Sequence, residues 1–313
     1  MAIRREAIHW RPRPEGRGNG IRVAVDYGNG VAAITASPVF RRLGLRMRAL
    51  FPNPDGRFPA HDPNPHDPKN FRPLIAELKR GIYDLGVFFD GDGDRAILFD
   101  RWGTAVRPDI TAGILAVSRL PYSQILKNLR IKRRDCAKAP RVLHDLRFSR
   151  AVVEEIRRAG GKTVRMPVGT PYYKDRIPED ADVLMGAELS GHIMLREFHG
   201  IDDGLYAVLA VLGVMAQRRK HLDELALPFR RYAQSGEQSL RVIEPEAALR
   251  RLARHYRDGK RSTLDGLTIE YPEWWCNIRV SNTEPLVRLN VEAENPRLLK
   301  KRLAELLRIL KSS

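Results

Sequence analysis

Between Ile21 and about residue 232, short apolar runs alternate with stretches of helical period, and this alternation limits the possible folds more than any other feature. IRVAVD (21–26), DLGVFFD (84–90), VLHDL (142–146), KTVRMPV (162–168) and DVLMGAE (182–188) are the strand candidates. The first predicted helix opens at Ser37-Pro38, where serine can cap free amides and proline suits the first helical position. Further helices are predicted near 70–80, over 109–120, over 149–160, and from Asp202 to about Gln217. The proline-rich stretch 52–68 reads as loop. Strands alternating with helices imply parallel-type α/β layers. Beyond about 233 the order changes to a strand, a helix over 245–257, three strands within 267–294 and an amphipathic helix over 296–310. The expected organisation is a basic arm (1–20), α/β domains over 21–107 and 108–232, and an α+β domain over 233–313.

Composition supports a folded chain: 313 residues, 43% apolar and 30% charged, suit two or three globular domains. No apolar run reaches the ~18–20 residues of a membrane span, and the opening residues lack a signal-peptide core. A cytoplasmic protein is therefore expected. Cys136 and Cys276 can form neither a disulfide framework nor a zinc site of paired spacing. The net charge of +17 is the unusual number, and it favours a polyanionic partner. The excess is concentrated in 1–19, 127–150 and 296–313. Those segments lack the aromatic interleaving and the zinc-finger or RRM signatures of nucleic-acid binders, so nucleic acid is disfavoured.

VFFDGDGDRAILFD places Asp90, Asp92 and Asp94 at alternate positions just after an apolar strand. Gly91 and Gly93 allow the backbone to curl so that three carboxylates converge. Three hard oxygen ligands with open positions suit Mg²⁺, which takes a few carboxylates plus substrate phosphate. An EF-hand is excluded because its glycine and glutamate positions are held by Arg95 and Arg101. An aspartyl-phosphate phosphatase could begin at Asp90 and Asp92, but Asp94 stands where Thr or Val is expected.

DGDGDR resembles the metal loop of the α-D-phosphohexomutases, the phosphomannomutase/phosphoglucomutase superfamily. GAELSGH (186–192) resembles that family's sugar-recognition loop and RVSNTEPLVR (279–288) its phosphate-binding loop. HDLRFS (144–149), VGTPYYK (168–174) and IDDGLY (201–206) match less specifically. The resemblance runs from about residue 21 to the C-terminus. It implies two three-layer α/β domains with mixed sheets followed by a C-terminal α+β domain. It also implies interconversion of hexose 1-phosphate and hexose 6-phosphate by Mg²⁺-dependent phosphoryl transfer.

Carried over by position, Asp90, Asp92 and Asp94 would hold Mg²⁺ and Arg95 would face the transferring phosphoryl group. Glu188 and Ser190 would bind sugar hydroxyls, with His192 supporting that loop or touching the sugar. Arg279, Ser281, Asn282, Thr283 and Arg288 would grip the phosphate that is not reacting. Arg147 and Lys174 are further catalytic candidates. Asn282 and Leu189 favour mannose or glucose phosphates over the phosphoglucosamine branch.

Two departures stand out. The family's first domain carries its catalytic phosphoserine in a T-A-S-H-N-P motif. Because the first family-like strand begins at Ile21, that domain is expected to be absent, leaving weak metal binding and an open face suited to self-association or to a separate phosphoserine-bearing chain. Thr35-Ala36-Ser37-Pro38 lacks the His-Asn pair and is rejected as a substitute. Thr170 stands where the family often has histidine. The alternative is a non-catalytic sugar-phosphate-binding protein descended from a mutase.

Overall fold

The computed structural model describes residues 20–128, 139–280 and 286–311, and three β-sheets follow one another along the chain. In the first sheet β1 (Arg22–Asp26) lies between β2 (Arg46–Leu50) and β3 (Leu85–Phe89). It continues through β4 (Ala96–Phe99) to β5 (Ala105–Val106), in the order β2-β1-β3-β4-β5. β1 pairs in parallel with β2 and β3, whereas β3–β4 and β4–β5 are antiparallel, so the sheet is mixed. All five residues of the central strand β3 are buried, as expected of a strand covered on both faces. At the sheet's edge, β2 carries Arg46 and Arg48, and charge there discourages edge-to-edge pairing.

The second sheet has the order β7-β6-β8-β9, from β6 (Arg141–Asp145), β7 (Lys162–Met166), β8 (Val183–Ala187) and β9 (Ile193–Leu195). β6 and β8 are parallel, and β9 turns back antiparallel on β8. The third sheet is antiparallel in all its pairings. Its path runs β10 (Ala233–Gln234), β15 (Leu286–Ala293), β14 (Trp274–Val280), β13 (Leu267–Glu270), β12 (Lys260–Ser262), and β11 (Gln238–Arg241) also pairs with β15.

Ten helices accompany these strands among the described residues. Those of eleven residues or more are α1 (Ala32–Arg42), α3 (Pro108–Asn128), α7 (Gly204–Arg218), α9 (Pro245–His255) and α10 (Pro296–Lys311). The others are α2 (Arg72–Leu78), α4 (Arg150–Arg158), α5 (Pro171–Lys174), α6 (Arg176–Glu179) and α8 (Leu222–Ala226). No helix among the described residues is long and apolar enough to cross a membrane.

The chain divides into two compact units. The first takes the described residues up to His144 together with Val152–Val164 and Gly169–Phe229. The second takes Asp145–Ala151, Arg165–Val168 and the chain from Arg230 onward. In the first unit, Phe71, Leu74 and Leu78 from the α2 region pack with Phe88, Ile97 and Phe99. In the second, Leu252 of α9 and Leu306 and Leu310 of α10 close over Ile269, Trp274, Ile278 and Leu289 of the third sheet.

Two expectations need correction. Helix α1 begins at Ala32, not at Ser37-Pro38, and Pro38 lies inside it. The residue preceding the helix is anchored instead, because the Val31 amide donates to the Gly91 carbonyl at 3.1 Å. Proline is tolerated here because the bond it forgoes would have reached the carbonyl of Ile34, a residue on the exposed side of the helix. Ser37 is therefore no helix cap: its buried hydroxyl donates to the Tyr27 hydroxyl at 2.9 Å. The long helix α7 starts at Gly204 rather than Asp202, because the Asp203 side chain accepts the Tyr206 amide at 2.8 Å as its N-cap.

Candidate functional site

The metal-loop candidates occupy the turn between β3 and β4 in the first unit. Asp90 is buried, and its Oδ1 accepts the amides of Gly93 and Arg95 at 3.0 and 3.2 Å, which fixes the curl of the loop. Gly93 makes that curl possible, with φ of +79° and a notional Cβ only 3.0 Å from the Ala32 side chain. Asp92 projects outward and is exposed. Asp90, Asp92 and Asp94 each offer an oxygen, and the three atoms lie within 4.8 Å of one another.

Burial, reinforced by the neighbouring Asp94 charge, outweighs Arg95 and pushes the Asp90 carboxyl up to about 6. Asp94 Oδ1 is buried without a hydrogen-bond partner, and its neighbouring cation is Arg95 Nε at 3.5 Å. An all-oxygen donor set with one buried oxygen left unbonded fits a hard divalent cation. Arg95 Nε sits 2.5 Å from Asp90 Oδ2, so the loop's own arginine supplies part of the counter-charge.

The sugar-loop candidates lie between β8 and β9 in the same unit. Glu188 is buried: its Oε1 accepts the Gly169 amide at 2.5 Å and its Oε2 accepts the Ser190 hydroxyl at 3.3 Å. The turn is closed by the Glu188 amide on the His192 carbonyl and the Gly191 amide on the Glu188 carbonyl. A notional Cβ on Gly191 would lie 3.5 Å from the Arg95 side chain, so this loop and the acidic loop are packed against one another. His192 Nδ1 stands 3.6 Å from Asp94 Oδ2 and 3.0 Å from Asp202 Oδ2, and Lys174 Nζ lies 3.0 Å from Asp202 Oδ1. Asp90, Asp92, Asp94, Arg95, Lys174, Glu188, Ser190 and His192 are thereby joined within one unit.

The phosphate-binding candidates lie in the second unit. Arg279 on β14 and Arg288 on β15 are cross-strand partners. Both approach Glu237, Arg279 Nη2 at 3.8 Å and Arg288 Nη1 at 3.3 Å. Arg279 Nη1 also meets Asp265 at 3.3 Å. Arg147 belongs to this group: it is buried, paired with Asp145 at 2.6 Å and with Glu237 at 3.0 Å. Burial opposes its charge, but Asp145 and Glu237 hold the guanidinium protonated well above the ordinary arginine value. Ser281, Asn282 and Thr283 lie outside the described residues.

Asp202 and Glu237 are the residues that sequence reading passed over. Asp202 had a weak signal in IDDGLY, whereas nothing local marks Glu237, whose role comes from strand pairing distant in sequence.

The chain thus combines mixed α/β sheets with an acidic loop at a strand end in the first unit and an arginine cluster on an antiparallel sheet in the second. Phosphoglucomutase/phosphomannomutase family models match in three consecutive parts. Alpha/beta/alpha domain II covers residues 8–103, alpha/beta/alpha domain III covers 123–232, and the C-terminal domain covers 239–309. The chain is 32% identical over 285 residues to a phosphomannomutase of Methanocaldococcus jannaschii, covering 91% of this chain and 60% of the relative. It is 32% identical over 283 residues to a phosphomannomutase/phosphoglucomutase of Pseudomonas aeruginosa, covering 88% and 57%. A crystal structure of a phosphoglucomutase/phosphomannomutase family protein from Burkholderia thailandensis superposes with a TM-score of 0.79. Its identity is 29%, over 98% of this chain and 63% of that one. This chain belongs to the phosphoglucomutase/phosphomannomutase family, the α-D-phosphohexomutases. It spans 57–60% of the length of these two curated relatives.

Proposed function

We propose that these residues form the metal-, sugar- and phosphate-binding parts of a phosphohexomutase that interconverts hexose 1-phosphate and hexose 6-phosphate, with mannose or glucose phosphate as substrate. One observation carries the reading: the three converging carboxylates of Asp90, Asp92 and Asp94 share a unit with Glu188, Ser190 and His192. In this reading Asp90, Asp92 and Asp94 hold Mg²⁺. When bound, the cation offsets negative charge on the phosphoryl oxygens during transfer. Glu188 accepts from sugar hydroxyls, with Ser190 and His192 beside it. Arg279 and Arg288, together with Ser281, Asn282 and Thr283, grip the distal phosphate, because guanidinium forks match phosphate oxygens. Arg95 remains beside the acidic loop, where it can meet the transferring group.

The 313 residues contain no T-A-S-H-N-P motif, so the proposal takes the phosphoserine donor from outside them. A binder of hexose phosphates without turnover is the second reading. Calorimetry with glucose 1-phosphate and mannose 1-phosphate, with and without Mg²⁺, tests the site. Binding that depends on Asp92 and Arg279 supports it, and binding unchanged in Asp92→Asn and Arg279→Ala refutes it. Turnover by the chain alone, with glucose 1,6-bisphosphate added, would contradict the outside donor.

A further inference from the structure

We propose that Asp202 is the positioning residue of the candidate site in the first unit, a carboxylate that orients His192 and Lys174 together so that the sugar loop presents a fixed face to a hexose phosphate. The inference rests on the functional reading above. It concerns a residue to which that reading gives no role.

The backbone around Asp202 is held from several directions. Its strand-like bridge to Met194 ties it to β9. The next residue caps α7, and the Gly204 amide donates to the Gly93 carbonyl at 3.2 Å. No side chain fits at 204, where a notional Cβ would lie 2.8 Å from both the Gly93 carbonyl oxygen and the Arg95 carbonyl carbon. The start of α7 is thus seated directly on the acidic loop. From this fixed point the Asp202 side chain, only 7% exposed, places one oxygen beside each of two nitrogens: Oδ1 beside Lys174 Nζ and Oδ2 beside His192 Nδ1, both at 3.0 Å. Lys174, Asp202, His192 and Asp94 form a row drawn from four separate segments.

This arrangement does little for stability but a great deal for direction. Lys174 is half exposed, and ion pairs at such positions contribute little to folding. What the pair does is remove rotamer freedom from a long side chain before any ligand arrives. For His192 the effect is a choice of nitrogen. Nδ1 is buried beside the Asp202 and Asp94 carboxylates without completing a hydrogen bond, and among the described residues no hydrogen bond or ion pair uses Nε2. That leaves Nε2 as the nitrogen able to meet a sugar hydroxyl. Charges agree with the geometry. The His192 contact and the Lys174 charge hold the Asp202 carboxyl far below its usual range despite its burial.

The test separates orientation from charge. Asp202→Asn keeps the size of the side chain but removes a negative charge, so by charge alone every phosphate should bind more tightly. If Asp202 positions the site, its loss must lower the preference for glucose 1-phosphate over inorganic phosphate at least tenfold by calorimetry. An unchanged preference overturns the proposal. If Asp202→Asn does not fold, Asp202→Glu, which keeps the charge and moves the carboxylate, is titrated in the same way, and an unchanged preference overturns the proposal. Failure of the unmodified chain to bind glucose 1-phosphate would count against the functional reading instead.

Discussion

At the scale of single residues, the candidate site depends on close approaches that leave no room for change. Gly204 is the sharpest case. Replacing it with Ala places a methyl carbon 2.8 Å from two backbone atoms of the acidic loop, and relief requires that loop or the start of α7 to move. We expect Gly204→Ala to cost about 1–3 kcal/mol in denaturant unfolding and to weaken Mg²⁺ binding. Unchanged metal affinity would show that the acidic loop does not depend on α7. Arg279 offers a second test. Its guanidinium meets both Glu237 and Asp265, a two-sided placement that a lysine ammonium cannot reproduce. Arg279→Lys is therefore expected to lose at least tenfold in affinity for glucose 1-phosphate by calorimetry. Near-normal binding would show that a point charge suffices.

At the scale of elements, the proline-rich loop 52–68 is held by hydrogen bonds to Asn29 and by one histidine. His61 Nε2 lies 3.1 Å from Asp26 Oδ1 at the end of β1, and its ring stacks on Phe88 of β3. Phe58 and Pro63 of the same loop crowd Gly91 of the acidic turn. The hydrogen bond to Asp26 raises the His61 proton affinity above the ordinary value against the effect of burial, with help from Asp62. The stabilisation is therefore fully present below about pH 6.5, the unfolded histidine value, and is lost as pH rises through the higher folded value. Thermal unfolding of His61→Gln should show a larger deficit at pH 5.5 than at pH 8.5, and an equal deficit at both would contradict this account.

The elements also differ in how plainly the sequence announced them. Leu85–Phe89, Arg141–Asp145 and α10 were legible because unbroken apolar runs and a clean helical period leave few alternatives. Edge strand β2 (RMRAL) alternates charge with apolar residues at an exposed edge and gave no such signal. β4 (AILF) was hidden behind the acidic motif that precedes it. Ser37-Pro38 misled because local capping preferences were outweighed by the Val31–Gly91 contact, formed between segments sixty residues apart in sequence.

At the scale of the whole molecule, the alternation of strands and helices followed by a change of order was enough to foresee α/β layers and a C-terminal α+β part, whereas the mixed sheets were implied by the family resemblance. Of the candidate site, the acidic and sugar motifs could be picked out because each is compact and local. Asp202 and Glu237 could not, because their partners come from segments far apart in sequence. The second unit should depend on its own apolar core. Leu289, fully buried on β15, is expected to cost about 2–5 kcal/mol when replaced by Ala, measured by denaturant unfolding. A loss below 1 kcal/mol would mean that the sheet is packed differently.

The central claim is that the acidic loop and the sugar loop act as one hexose-phosphate site that takes a divalent cation. Calorimetric titration of glucose 1-phosphate into the purified chain, with and without Mg²⁺ and with Asp92→Asn as control, measures this directly. The account predicts saturable binding that Mg²⁺ strengthens, with the strengthening lost in Asp92→Asn. Binding indifferent to Mg²⁺ and to Asp92, or no binding at all, would contradict it.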